Sequence, residues 1–219
     1  MAKRPIFLVT NEPPYYRCFY STFQWNGGFA KSQKQKNIQA LHDSYNQLAI
    51  GERKSLLEIS SASPNDTGVA LSAFNLKKYV PSLNKSVSLE CVFQAGKIFE
   101  NGGPYLDLLE KTSREAKKDE RIRNSGKIIG FEFEGKHYSN IPKTAFYDWL
   151  YINACLENSS LANRVLEYDG FTDIEFNPDK SLNCQARSLA MYVGMNRGND
   201  TECIKSYDDF VTKIYQIKK

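Results

Sequence analysis

Ser88-Leu89-Glu90-Cys91-Val92-Phe93-Gln94-Ala95-Gly96-Lys97 sets a carboxylate and an amine seven positions apart among apolar residues. Seven residues are about two helical turns, so a helix over this stretch carries Glu90, Gln94 and Lys97 on one face. Leu89, Val92, Phe93 and Ala95 supply apolar surface to seat that helix in a core. A hydroxyl at Ser86 or Ser88 can cap its first amides, and Asn101-Gly102-Gly103-Pro104 supplies a stop. The polar stripe has two readings, a structural ion pair bridging two turns or the floor of a site.

Around this helix the pattern predicts further elements. Downstream lie a helix over Tyr105 to Lys111, a polar helix whose capped start is Thr112-Ser113-Arg114-Glu115, and a half-exposed strand, Ile128 to Gly135, alternating apolar and acidic residues. A strongly apolar helix over Ala145 to Leu156, a strand from Phe171 to Phe176 and a last helix from about Gln185 to Met195 complete the second half. Upstream, Pro5 to Thr10 reads as a strand stopped by Asn11-Glu12-Pro13-Pro14, and the aromatic run Tyr15 to Trp25 as another. Asn26-Gly27-Gly28 turns the chain into a helix that begins near Lys31 and runs through Leu41 and His42. Residues 51–70, with Ser60-Ser61-Ala62-Ser63-Pro64-Asn65-Asp66-Thr67-Gly68, read as a loop-rich join. The expected architecture is mainly α with short β-strands (α+β), divided into an extension over 1–70 and a main domain over 71–219.

Composition narrows the function classes. The 219 residues are 41% hydrophobic and 13% aromatic, enough to bury a core without staples. A formal net charge of +4 permits contact with a polyanion without marking a dedicated nucleic-acid coat. Cys18, Cys91, Cys155, Cys184 and Cys203 are widely spaced and odd in number, which indicates reduced thiols rather than a disulfide framework or a zinc site. Only His42 and His137 are available, so neither a metal site nor a His-based triad is expected, and chemistry falls to carboxylates, lysines and aromatics. No stretch approaches the ~20 apolar residues of a membrane helix, so the expectation is a cytoplasmic protein without a membrane partner.

Three separated patches resemble one family. Leu71-Ser72-Ala73-Phe74 is similar to the Leu-Ser-Asn-Phe opening of NADAR domains, a superfamily tied to NAD and ADP-ribose metabolism. The opening decapeptide resembles that family's Ser-x-Glu-x-x-Phe-Gln-Ala-x-Lys signature, and Ser113-Arg114-Glu115-Ala116-Lys117 its Ser-Arg-Glu-Ala-Lys segment. Ile174-Glu175 before Asn177-Pro178 resembles its Val-Glu-x-Ser-Pro approach to a last motif, Asp-x-x-Trp-Gly. Here the chain departs, running Asp179 to Arg187 with neither the Trp nor the Gly. With the N-terminal block of Trp25-Asn26-Gly27-Gly28 and Gln33 to Lys36, this resembles the branch that accompanies DarT-type toxins, whose members strip ADP-ribose from guanine in DNA.

The resemblance implies a cofactor-free N-glycoside hydrolase acting as an antitoxin. Breaking a ribosyl C–N bond builds positive charge on the sugar and negative charge on the departing amine, which calls for a carboxylate and a proton source. Glu90 and Glu175 are the implied carboxylates; Lys97 is a desolvated amine for Schiff-base chemistry or a cation for phosphate. Ser72, Phe74, Gln94, Arg114 and Lys117 are implied at the substrate, Trp149 as a stacking surface, and Gln185 and Arg187 in place of the missing Trp-Gly. Asn26, Gly27 and Gly28 read as a hairpin turn or, together with Trp25, as a lip over the modified base, with Lys31, Lys34 and Lys36 toward DNA phosphates. The implied partners are ADP-ribosylated DNA or ADP-ribose and a cognate DarT-type toxin. The alternatives are a glycosidase of riboflavin-pathway intermediates, or a non-catalytic protein that binds ADP-ribose or the toxin.

Overall fold

The computed structural model describes residues 1–48 and 54–216. Strands β1 (Ala2–Val9) and β2 (Tyr16–Phe23) form an antiparallel hairpin with Ala2 opposite Phe23 and Val9 opposite Tyr16. Helix α1 (Lys31–Leu48) covers one face of it. Its Ile38, Leu41 and Tyr45 recur at helical spacing and pack with Ile6, Leu8 and Phe23.

The stretch predicted as loop-rich contains a strand, β3 (Leu56–Glu58), and a helix, α2 (Asp66–Ala70), capped by the Asn65 side chain. Residues 51–53 of it lie outside the described residues. Both elements are too short for periodicity to reveal, and β3 forms only because a distant strand pairs with it. Next come the hairpin β4 (Lys77–Val80) and β5 (Lys85–Ser88), then α3 (Leu89–Ala95). The expectation that one helix holds both Glu90 and Lys97 is corrected here: α3 ends at Ala95, and Lys97 opens strand β6 (Lys97–Phe99). Gly96 is the reason. Its carbonyl accepts Glu132 N–H at 2.7 Å, and a Cβ on it would stand 2.3 Å from Glu132 O, so a crossing strand docks directly on its backbone. Asn101 to Pro104 therefore follow a strand and end no helix.

Leu106–Glu110 is a 3₁₀ turn in place of the predicted α-helix. Helix α4 (Ser113–Lys118) starts as predicted, with Thr112 and Glu115 in a reciprocal capping box. After α5 (Arg121–Asn124), β7 (Ile128–Phe133) joins β6 and β8 (Lys136–Ser139) in a three-stranded antiparallel sheet. The apolar α6 (Ala145–Leu156) has the predicted bounds and is buried on most of its circumference. Then follow α7 (Ser159–Arg164) and β9 (Gly170–Thr172).

The predicted strand to Phe176 stops at Thr172, because Asp173 Oδ1 accepts the Glu175 and Phe176 amides at 3.0 and 3.1 Å and turns the chain. Strand β9 lies between β1 and β3, giving the order β2-β1-β9-β3, so residues from both ends of the chain share one sheet. Helix α8 (Gln185–Arg197) extends past Met195 and is not the last. Helix α9 (Tyr207–Tyr215) follows, burying Tyr207, Phe210 and Ile214. Gly194 lets α8 lie on the hairpin, since a Cβ there would be 2.4 Å from Thr10 O. The arrangement is α+β. Among the described residues no helix is long and apolar enough to cross a membrane.

Beneath the sheet runs a buried polar chain. His42 Nε2 lies 2.8 Å from Thr172 Oγ1, which donates to Glu58 at 2.6 Å. Burial holds His42 down to about 4 and pushes Glu58 and Asp173 upward, with the Glu58 charge adding to the rise at Asp173 and the Glu175 charge to that at Glu58. Asp173 thus stands, with its pKa raised by burial, at the root of the turn that carries Glu175.

Candidate active site

Helix α3 begins where the Ser88 side chain accepts Cys91 N–H, and its first turn presents Glu90, 5% exposed. Glu90 N–H donates to Ala73 O at 2.9 Å, and Ala73 N–H donates to the Gln185 side chain at 2.7 Å, which ties α3 to the 72–74 segment and to the start of α8. Ser113 Oγ at the start of α4 lies 2.8 Å from Ser88 Oγ and 3.0 Å from Phe74 O. Residues 72–74, 88–97 and 113–117, distant in sequence, therefore meet at one place.

What meets there is a charged relay. Gln94 Nε2 donates to Glu90 Oε1 at 2.8 Å, and Lys97 Nζ donates to Gln94 Oε1 at 2.7 Å. From α4, Lys117 Nζ reaches within 3.7 Å of Glu90 Oε1 and sits 5.2 Å from the centre of the Phe74 ring. The order is Lys117, Glu90, Gln94, Lys97, with Phe74 beside the outer end. The direct Glu90–Lys97 ion pair offered by the sequence is replaced by a neutral amide between the two charges.

Lys97 is 8% exposed, with its ammonium 4.7 Å from the centre of the Phe93 ring. Burial lowers its pKa to about 8, against the opposing pull of Glu90 and with a smaller contribution from Lys117. With its pKa near 8, this buried amine, bonded to an amide rather than a carboxylate, is neutral in about a tenth of molecules at pH 7 and in about half of them at pH 8. Outside the relay, Phe74, Ser88, Lys111, Thr112 and Ser113 border a groove of about 390 Å³ that also takes in Lys77 and Lys85. The sequence reading missed Lys77 and Lys111 because an isolated surface lysine carries no local signal.

The remaining candidate residues fall into three groups. Ser72 is buried and donates to Val69 O at 2.9 Å, shaping the turn before Ala73. Gln185 bridges Ala73 N–H and Ile59 O, a bracing position behind Glu90. Arg114 is exposed and forms no hydrogen bond among the described residues.

Two candidates are committed to the frame. Arg187 is ion-paired at 2.9 Å with Asp148 of α6, whose carboxylate also accepts Ser188 Oγ–H at 2.6 Å and Tyr215 O–H at 2.7 Å. Trp149 donates its indole N–H to Ile204 O at 2.8 Å and packs against Tyr138 and Tyr207. Its polar edge is spent inside the fold.

The last group lies where the turn after β2 leads into α1. Asn26 exchanges hydrogen bonds with buried Asn37 of α1, Trp25 packs on Phe23 under Arg4, and Gly27 borders open space. Glu175 is exposed and ion-paired with Lys34 of α1, with Ser61 Oγ at 3.2 Å. Residues from the two ends of the chain are thus brought together at this edge.

A family model described as the DarT1-associated NADAR antitoxin matches residues 2–219. No curated protein matches the chain.

Proposed function

The chain belongs to the DarT1-associated NADAR antitoxin family, and from that premise we propose that it removes ADP-ribose from guanine bases in DNA by hydrolysing the bond between ribosyl C1 and the exocyclic nitrogen. The observation that carries this reading is the buried Glu90–Gln94–Lys97 relay, joined from the surface by Lys117, beside Phe74. It sets a carboxylate and an amine of lowered pKa on one floor, as a ribosyl C–N cleavage requires.

In the proposed sequence the N-glycoside opens to an imine, and the neutral Lys97 amine adds to C1. The C–N bond to guanine then breaks with the base leaving as its amine, and the Lys97 Schiff base remains. Water adds to that Schiff base and frees the amine and the ADP-ribose aldehyde, which closes to its ring. Glu90 relays the protons, taking one from the attacking amine or water and giving one to the departing nitrogen. Lys117 steadies the charge of Glu90, and the Lys77–Lys111 groove receives the phosphates. Borohydride added during turnover should reduce the Schiff base and leave an ADP-ribosyl mass on the Lys97 peptide. Turnover with no adduct would assign Lys97 to a purely electrostatic role.

The lip supplies the DNA contact. Phe29, 98% exposed, follows Gly27–Gly28, and Lys31 and Lys36 in the first turns of α1 are exposed as well. A projecting aromatic among lysines suits a base stack flanked by phosphates. Phe29→Ala combined with Lys31→Ala and Lys36→Ala should weaken binding of a modified oligonucleotide about 10-fold or more and flatten its salt dependence, with free ADP-ribose binding unchanged. Unchanged oligonucleotide affinity in that variant would remove the lip from the interface.

A further inference from the structure

Tyr147 of α6 is missing from every motif of the chain, yet it stands against the relay. Its ring meets Phe93 edge-on, with centroids 4.9 Å apart and planes at 79°. Phe93 is the ring that carries the Lys97 ammonium at 4.7 Å. One aromatic residue thus supports both groups, and Glu90 is the charge that acts most strongly on Tyr147.

The Tyr147 side chain is nearly sealed, at 7% exposure, but its hydroxyl has no hydrogen-bond partner among the described residues. Among the other buried tyrosines, Tyr151 donates to Leu71 O at 2.6 Å and Tyr207 to Ser139 O at 3.3 Å. Nor is the Tyr147 oxygen walled in, because the fully enclosed, unpartnered side-chain atoms among the described residues are Arg4 Nε, Asn183 Oδ1 and Arg187 Nε. Tyr138 and Tyr192 also lack a partner among the described residues, but Tyr138 packs on Phe146, Trp149 and Tyr207 and neither ring meets Phe93. A buried phenol with an open oxygen, packed on the ring that carries Lys97, is a donor without an acceptor.

We propose that the Tyr147 hydroxyl is a ligand contact, donating a hydrogen bond to an oxygen of the ribosyl group held against Glu90. The assignment rests on the hydrolase reading for the identity of the ligand and on the packing around Phe93 for the position of the donor. Burial and the Glu90 carboxylate both hold the phenol well above its ordinary range, so it is protonated and able to donate at neutral pH.

The test uses the full chain with ADP-ribose as probe, alongside an oligonucleotide bearing ADP-ribosylated guanine. Tyr147→Phe should keep the unfolding midpoint within about 2 °C of wild type, because the deleted hydroxyl bonds to no protein group. It should weaken ADP-ribose binding about 10-fold and slow single-turnover release by a similar or larger factor. Wild-type affinity and rate in a folded Tyr147→Phe variant would overturn the proposal. Fluorotyrosine at position 147 gives a second readout that keeps the side chain: its ¹⁹F resonance should move on saturation with ADP-ribose, and a fixed resonance would overturn the proposal too. If wild type binds ADP-ribose but never cleaves the oligonucleotide, the hydrolase reading fails while the Tyr147 contact stands on its binding effect. No ADP-ribose binding by wild type would overturn both.

Discussion

Glu90→Gln should lower the rate of ADP-ribose release from modified guanine by about 10³-fold, equivalent to about 4 kcal/mol of lost transition-state stabilisation. The substitution is nearly isosteric, and the carbonyl of the introduced amide can still accept the Gln94 N–H that now bonds Glu90 at 2.8 Å. The packing of α3 should persist, so circular dichroism and the unfolding midpoint should change little. What is lost is the capacity to take up and return a proton at the one buried carboxylate of the relay. A folded Glu90→Gln variant with more than a tenth of wild-type activity would end the assignment. Rescue of cells from the toxin by an inactive Glu90→Gln variant would point instead to neutralisation by binding.

The second large effect is at Lys97. Lys97→Met should reduce turnover 10²- to 10³-fold while raising stability. The sign follows from the depressed pKa. Native Lys97 titrates near 8 rather than 10.5, so between those values the unfolded chain holds more protons and stability rises with pH. The cost is fully present below about pH 8, where it is worth about 3 kcal/mol, and is relieved by about pH 10.5. Methionine fills similar space without a charge to bury, so its unfolding midpoint should exceed wild type by several degrees at pH 7 and converge with it above pH 10. The wild-type rate should climb through pH 7 and level off above about 8, as a neutral amine requires. A rate that falls above pH 8 would make Lys97 a cation in the reaction, and a Lys97→Met variant with unchanged turnover would remove it.

Stability gained by deleting a functional side chain separates a site from a structural pair. Had Glu90 and Lys97 been a simple ion pair, breaking it would leave a buried charge and destabilise the fold by several kcal/mol. The Gln94 amide between them changes the expectation.

Local chemistry made some of this legible in the sequence. Ser88 and the Thr112–Glu115 box announced two helix starts, and both sit at the candidate site because capping is written within four residues. The apolar run of α6 was long enough to be unambiguous. The end of α3 was harder. Gly96 carried the signal, but its consequence depends on β7 arriving from more than thirty residues away. Strands β3 and β9 are three residues each and exist through pairings between distant parts of the chain, which no local period encodes.

At the candidate site, the resemblance pointed to three segments and the fold decided how they meet. Lys117 read equally well as solvated surface, yet α4 aims it at Glu90. Trp149 and Arg187 carried attractive ligand chemistry, but Ile204 O and Asp148 had prior claims on them. Tyr147 sat in an apolar helix with nothing to distinguish it from core. Only its unmatched hydroxyl sets it apart.

The most direct measurement is mass spectrometry of a DNA oligonucleotide bearing ADP-ribosylated guanine, incubated with the purified chain in ¹⁸O-labelled water. The expected result is an oligonucleotide returned to the mass of unmodified guanine and free ADP-ribose carrying the label, with neither product from the Glu90→Gln variant. A modified oligonucleotide left intact by wild-type protein that nevertheless protects cells from the toxin would contradict it.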